Sequence, residues 1–357
     1  MAEEIHPNIK FANTISSEYY TSNKMLDLIR GDFNRRWLFC SHVNEFNENN
    51  VMPLKHIEDT LNEALIITKK DEVFTVLSNV CTHRGMLICQ KKSNTKFLKC
   101  GYHGRVFSLD GKFKSMPEFE NVENFPSKKD NLPDFNLKNW KGLLFASISD
   151  NDFENFICEL DKRIGWMPIE NFKEDPSRFR EYEIKANWAL YVDNYLEGFH
   201  IPYVHKDLHE VLEYGEYMTE LFDNGVLQIG ISSNPNDCFE LPESSPDYGL
   251  NIAAYYYWLY PNTMLIFYPW GLSVNMIIPI DVNRTKIVYK GYVWKEELLG
   301  KGAGGDLDKV EMEDQDIVEA VQRGVRSKFY DKGRFSPKKE RGVHHFHQML
   351  VKSIKEN

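Results

Sequence analysis

Cys81-Thr82-His83-Arg84-Gly85 is answered, after sixteen residues between its histidine and the next cysteine, by Cys100-Gly101-Tyr102-His103-Gly104. In spacing this is C-x-H and then C-x-x-H. Each stretch follows an apolar run, residues 73–77 before the first and Phe97-Leu98 before the second, so two similar loops should project from the tips of neighbouring hairpins. Zinc sites usually pair C-x₂₋₄-C with H-x₃₋₅-H, putting like ligands together, whereas each loop here carries one of each. A [2Fe–2S] cluster with the cysteines on one iron and the histidines on the other uses such a mixed set. Neutral imidazoles in place of two thiolates lower the cluster's negative charge and raise its reduction potential above that of an all-cysteine ferredoxin.

Working outward, residues 37–150 read as β: 64–68 and 73–77 are apolar runs split by a polar turn, and Asp110-Gly111 is a hairpin signal. Residues 143–148 close this domain, and the polar stretch 149–155 marks a boundary. Helices are expected near 17–33, 153–164, 187–200, 307–326 and 338–355, with a β-rich, aromatic region from 217 to 294. The expectation is α+β: a small antiparallel β domain at 37–150, and a larger domain at 151–357 whose sheet is flanked by helices. Residues 1–36 are assigned to the larger domain as its N-terminal helical segment.

A length of 357 residues suits two domains. Acidic residues outnumber basic ones, 53 to 43, for a net charge of −10. That argues against nucleic acid as a partner, because phosphate binding needs a basic surface. The acidic N-terminus lacks the features of a signal peptide. The strongest apolar run, residues 264–268, is cut by Pro269 and is far too short for a membrane span. Six cysteines in this length do not make a secreted disulfide framework, so a cytoplasmic location is expected. Cys40, Cys89, Cys158 and Cys238 read as small apolar side chains.

A carrier of single electrons needs only about a hundred residues, so the remainder must do something else. Its candidate is the stretch from Asp193-Asn194 through Glu197 and His200 to His205. The two histidines are five apart, which takes them off one face of an unbroken helix. Pro202 lies between them and breaks helices, so the chain can turn and bring both imidazoles to one centre. Oxygenase iron takes two histidines and one carboxylate and keeps open positions. A distant helix should supply the acid. Val310, Asp314, Ile317, Val318 and Val321 follow the rhythm of a buried face, which selects Asp314, with Asp316 as runner-up. Glu313, Asp316 and Glu319 point toward the polar side. His344, His345 and His347 lie on one helix at spacings unsuited to a shared metal and read as structural.

Taking both constellations together, the chain resembles the catalytic α subunits of Rieske non-haem iron oxygenases. The C-x-H-R-G and C-x-Y-H-G loops, the N-x-x-E-x-x-H-x-x-x-x-H stretch and the Glu313-Asp314 to Gln322-Arg323-Gly324 run carry the likeness. The resemblance implies a helix-grip catalytic domain and a homotrimer fed by a separate flavin/iron–sulfur reductase using NAD(P)H. It assigns Cys81, His83, Cys100 and His103 to the cluster and His200, His205 and Asp314 to a mononuclear Fe(II). Glu197 is implied to bridge His200 and His103 of an adjacent subunit, with Asn194 and Asp193 as further supporting residues. Many aromatic-ring dioxygenases have aspartate where Glu197 stands. Glutamate there is more like the carnitine-, choline- and betaine-type enzymes, which implies oxidation of a small quaternary amine. The aromatic-rich strands around 254–258, 267–270 and 289–294 suit a cage for such a cation, although most of these rings read as core. The alternatives are an aromatic ring-hydroxylating dioxygenase, an electron carrier without oxygenase activity, and a zinc-bearing ligand-binding protein.

Overall fold

Short apolar runs bounded by turns make residues 38–147 a stack of strands, and longer aromatic runs make a second sheet after residue 218. In the computed structural model, which describes residues 4–149, 152–211, 213–305 and 307–355, two helices come first, α1 (Glu18–Thr21) and α2 (Asn23–Phe33). Then follow β1 (Leu38–His42), β2 (Val51–Pro53), α3 (Lys55–Leu61), β3 (Leu65–Lys70), β4 (Val73–Ser78), β5 (Leu98–Lys99), β6 (Val106–Phe107), β7 (Phe113–Ser115), β8 (Asp134–Trp140) and β9 (Leu143–Ser147). The chain divides into two units. Asn34–Phe153 forms one, and Met1–Phe33 joins Glu154–Asn357 in the other.

In the smaller unit, β1-β9-β8-β4-β3-β2 form one antiparallel sheet and β5-β6-β7 another. Successive side chains of a strand leave on opposite faces. Leu65 and Ile67 of β3 therefore enter a core with Leu38, Met52 and Val76, while Ile66 enters a second core with Leu77, Leu98, Phe107, Cys81 and Cys100. The paired cysteines thus belong to the packed interior. Strand β8, paired with β9 and β4 but mostly polar, is absent from the sequence reading because its exposed residues give no apolar signal.

The larger unit continues with α4 (Phe153–Ile164), β10 (Lys173–Ile184), α5 (Trp188–Tyr195), α6 (Ile201–Val204), α7 (Lys206–Val211), β11 (Met218–Phe222), β12 (Gly225–Ile231), β13 (Ile252–Leu259), β14 (Thr263–Tyr268), β15 (Gly271–Asp281), β16 (Arg284–Val293), α8 (Leu307–Gly324) and α9 (Arg341–Lys355). Its sheet is antiparallel, in the order β10-β16-β15-β14-β13-β12-β11. Among the described residues no helix is long and apolar enough to cross a membrane. β10 is an edge strand, and its Pro176 falls where the register shifts between Asp175 and Arg180, as a residue without an N–H requires. Its sparse apolar content hid it from the sequence reading.

Directly opposed residues of an antiparallel sheet share a face. Gln228, Tyr256, Ile266, Ser273 and Gly291 therefore form one row across β12 to β16. On this face Trp258 packs against Phe346 of α9 (5.1 Å), which meets Trp188 of α5 (5.7 Å). On the other face the Tyr255 hydroxyl donates to Asp247 (2.8 Å), which pairs with Arg163 of α4 (3.2 Å).

The helix expected over 187–200 is divided. α5 starts at the cap Asn187, whose side chain accepts from the Ala189 N–H (2.9 Å), and ends at Tyr195. The turn lies at residues 196–199, before the first histidine. Pro202 sits inside the first turn of α6, where proline is tolerated. Three contacts hold the turn: Gln228 donates to the Tyr195 carbonyl (2.6 Å), Gly198 lies under the Tyr217 ring, and α9 approaches so closely at Gly342 that a Cβ there would stand 2.4 Å from the Leu196 carbonyl oxygen. Gly342→Ala forces those two backbones apart at a cost of about 1–3 kcal/mol. The thermal midpoint should fall by roughly 2–4 °C for each kcal/mol; an unchanged midpoint in calorimetry would contradict this account of the turn.

Candidate metal centres

The two loops of the smaller unit are copies of one hydrogen-bond design. The Cys81 N–H donates to the Met86 carbonyl (2.9 Å) and the Gly85 N–H to the Cys81 carbonyl (3.0 Å); Cys100 and Gly104 repeat this with Arg105 (2.8 Å) and Cys100 (3.1 Å). Gly85 and Gly104 both have φ +73°, a conformation that favours glycine. Asp130 ties the loops together. Its carbonyl accepts from the Thr82 hydroxyl (2.8 Å), and its carboxylate pairs with the buried Arg105 (2.6 Å).

Cys81 and Cys100 are buried, and the His83 and His103 rings meet edge to face at 4.7 Å. Burial raises the pKa of the Cys81 thiol, and the adjoining Cys100 raises it further. Burial, followed by the neighbouring His103 and Arg105, lowers that of His83, so its ring stays in the neutral form that binds metals. Nδ1 of His103 is buried without a hydrogen-bond partner among the described residues, while part of the ring reaches the surface. Two buried thiols, two facing imidazoles and an orphaned ring nitrogen fit a [2Fe–2S] cluster.

In the larger unit His200, at the cap of α6, and His205, just past its end, are brought together with Asp314 of α8. His200 Nε2 and His205 Nε2 are 3.2 Å apart, and Asp314 Oδ1 stands 2.9 Å from the second and 3.5 Å from the first. An ion with bonds of about 2.1 Å and right-angled neighbours separates adjacent donors by about 3 Å. The donor set and its spacing fit a mononuclear iron.

The other nitrogen of each ring is fixed. His200 Nδ1 lies 2.7 Å from Glu197 Oε1, and His205 Nδ1 lies 2.8 Å from Glu313 Oε2. A carboxylate on Nδ1 orients the ring and leaves Nε2 for a metal. Asn194 Nδ2 donates to Asp314 Oδ1 (2.7 Å). Burial opposes a charge on His205, yet Asp314 and Glu313 outweigh it and raise its pKa.

Three expectations need correction. Glu313, assigned to the polar side, reaches the site. Asp193 turns away from it: its carboxylate bonds His347 (2.9 Å) and the Tyr20 hydroxyl (2.7 Å). Ile317 and Val321 are 39% and 43% exposed, because the buried face of α8 runs through Glu311, Val318, Gln322 and Val325, with Asp314 half-buried at its edge. That face is partly polar because it bonds α5 and the residues before it: Asn187 N–H donates to Gln322 (2.6 Å), and the Tyr191 hydroxyl to Glu311 (2.7 Å). Asp316 is exposed. His344 and His345 bond the carbonyls of His6 (2.8 Å) and Phe222 (2.9 Å), so the three C-terminal histidines have separate partners.

A cavity of about 120 Å³ opens beside the triad, lined by His200, His205, Asp314, Asn194, Glu197, Gln228, Glu311 and six tyrosines. The tyrosines are 191, 195, 217, 256, 268 and 289, and burial raises the pKa of each, so they stand as neutral hydroxyls. Burial also pushes Glu311 up to about 7, against hydrogen bonds from Tyr289 and Tyr191. Glu311 escaped the sequence reading, although its i, i+3 relation to Asp314 was the available signal.

Among known proteins, the carnitine monooxygenase oxygenase subunit of Escherichia coli is 28% identical over 374 residues, covering 100% of this chain and 98% of the relative. The chloroplastic choline monooxygenase of Arabidopsis thaliana is 26% identical, covering 99% and 86%. A solved quaternary ammonium Rieske monooxygenase, described for carnitine oxidation and inter-subunit electron transfer, superposes with a TM-score of 0.82 at 24% identity over 99% of this chain and 100% of that one. Residues 36–126 match the Rieske [2Fe–2S] domain, and residues 174–356, more than half the chain, match the ring hydroxylating alpha subunit catalytic domain. The chain therefore belongs to the Rieske-type ring-hydroxylating oxygenases, as a catalytic alpha subunit with a [2Fe–2S] cluster and a mononuclear iron.

Proposed function

We propose that this oxygenase acts as a monooxygenase on a small quaternary amine, with its iron held by His200, His205 and Asp314 and its cluster by Cys81, His83, Cys100 and His103. The convergence of those two histidines and one carboxylate at a tyrosine-walled cavity carries the reading. The relatives named for carnitine and choline support the substrate class, as does glutamate at position 197.

A ferrous ion in a two-histidine, one-carboxylate site supplies activation of dioxygen at its open positions. The chain's own residues do the rest. Glu197 and Glu313 hold the two rings so that both Nε2 atoms face one point. Asn194 fixes the Asp314 oxygen that faces them. The buried tyrosines exclude bulk water and keep their protons. Substrate, dioxygen, two electrons and two protons give the hydroxylated substrate and water; hydroxylation beside the quaternary nitrogen yields a carbinol that breaks its C–N bond to give an aldehyde, a tertiary amine and a proton.

The electrons are proposed to come from a separate NAD(P)H-dependent reductase, in a homotrimer where Glu197 meets the partner subunit's His103. The hydrogen bonding of Glu197 suits it to that bridge. Its Oε1 bonds His200 Nδ1 and keeps a second lone pair, while Oε2 accepts the Phe199 and His200 N–H groups. The partly exposed His103 ring supplies the matching surface. A reducing cytoplasm fits the six free thiols.

Iron analysis of reconstituted protein should give about three irons per chain, whereas an electron carrier would hold about two. His200→Ala should abolish substrate-dependent oxygen uptake while sparing the visible spectrum of the cluster; loss of that spectrum would refute the division between the sites. Glu313→Ala should weaken iron binding about 10–100-fold, read by chelator competition, and unchanged affinity would show that His205 needs no such support.

A further inference from the structure

Glu311 plays no part in the mechanism above. It precedes Asp314 by one turn of α8, is 7% exposed, and lines the cavity that the triad also lines. Its oxygens accept hydrogen bonds from Tyr191 (2.7 Å) and Gln315 (3.3 Å), and the Tyr289 hydroxyl stands 2.6 Å from that of Tyr191. Among the described residues its hydrogen-bond partners are neutral and no cation is ion-paired with it, while Arg178 and Arg180 line a second pocket that it also borders. A buried carboxylate without a counter-ion is costly, and Asp314, a second acid beside it, adds to the cost. Burial answers by favouring the protonated form, which leaves a site that gains most when a cation arrives.

The chemistry of the arriving group follows from how the carboxylate is dressed. Each oxygen accepts one hydrogen bond, from Tyr191 and from Gln315, and these hold the carboxylate in place without neutralising it. A quaternary ammonium has no N–H and needs only the field of the charge. The aromatic rings of Tyr217 and Tyr268 line the same cavity, and aromatic rings attract the same kind of cation. We infer that Glu311 is the counter-charge that recognises the substrate's quaternary ammonium and sets the preference for it over an uncharged molecule of equal shape. This rests on the quaternary-amine reading above.

Two measurements on the full-length, reconstituted enzyme test it. Calorimetric titration with tetramethylammonium, which needs no turnover, should show binding to the wild type and at least about tenfold weaker binding to Glu311→Gln, with Glu311→Asp recovering part of the loss. Steady-state turnover of choline and of its uncharged carbon isostere 3,3-dimethylbutan-1-ol should show a preference for the cation, carried in KM, that falls by at least about tenfold in Glu311→Gln. The cluster spectrum and iron content serve as folding controls for each variant. Equal binding of tetramethylammonium to wild type and Glu311→Gln, or no binding to either, overturns the inference. Tetramethylammonium binding that depends on Glu311, without oxidation of any quaternary amine, would instead overturn the proposed function and leave the cation site standing.

Discussion

An imidazole has two nitrogens, and a carboxylate fixed on one decides where the other points. Glu197 on Nδ1 of His200 and Glu313 on Nδ1 of His205 aim both Nε2 atoms at Asp314. The rest of the catalytic unit serves that aim. Glu197 must lie three residues before its histidine in a segment that is not helical, and Glu313 must come from a helix more than a hundred residues away. The chain therefore has to leave α5 sharply, and α8 has to dock on α5 in one register.

The sheet makes both conditions hold. Its helix-bearing face ends in Gln228, which bonds the last carbonyl of α5, and Trp258, which seats α9. Gly342 then lets α9 reach the turn itself, at Leu196. On the far side α8 is registered by polar contacts: Gln322 with Asn187, Glu311 with Tyr191, Asp314 with Asn194. Directional bonds specify position better than apolar packing does, because a shift of one residue leaves buried donors unpaired. A helix that must deliver two carboxylates to a metal site gains from that precision.

The same polar docking explains what the sequence hid. Both cysteine–histidine loops could be read from the sequence because their candidate ligands, turn glycines and flanking strands are local. His200 and His205 were legible for the same reason, although the break between α5 and α6 falls before His200 instead of at Pro202. Asp314 was selected by a rhythm of apolar residues of which Ile317 and Val321 turned out exposed. The true buried face carries Glu311 and Gln322, which an apolar pattern cannot count as interior. Glu313 and Glu311 were missed by this route, and strands β8 and β10 because their exposed, polar residues carry little hydrophobic signal. Patterning reports what is buried because it is apolar; it is silent on what is buried because it is bonded.

That silence covers the most costly part of the molecule. Glu197, Glu311, Glu313 and Asp314 gather around two imidazoles, and residues three apart on a helix have Cβ atoms about 5–6 Å from one another. Two unit charges about 5 Å apart repel by about 3 kcal/mol at an effective dielectric of 20. Hydrogen bonds from Asn194, Tyr191 and the histidines offset part of this. The remainder favours the arrival of positive charge. Binding of a divalent ion to the proposed triad is then coupled to the docking of α8 on α5, so the metal site and the helix register stabilise each other. Glu311 lies outside the triad, one turn of α8 before Asp314, and lines the same cavity.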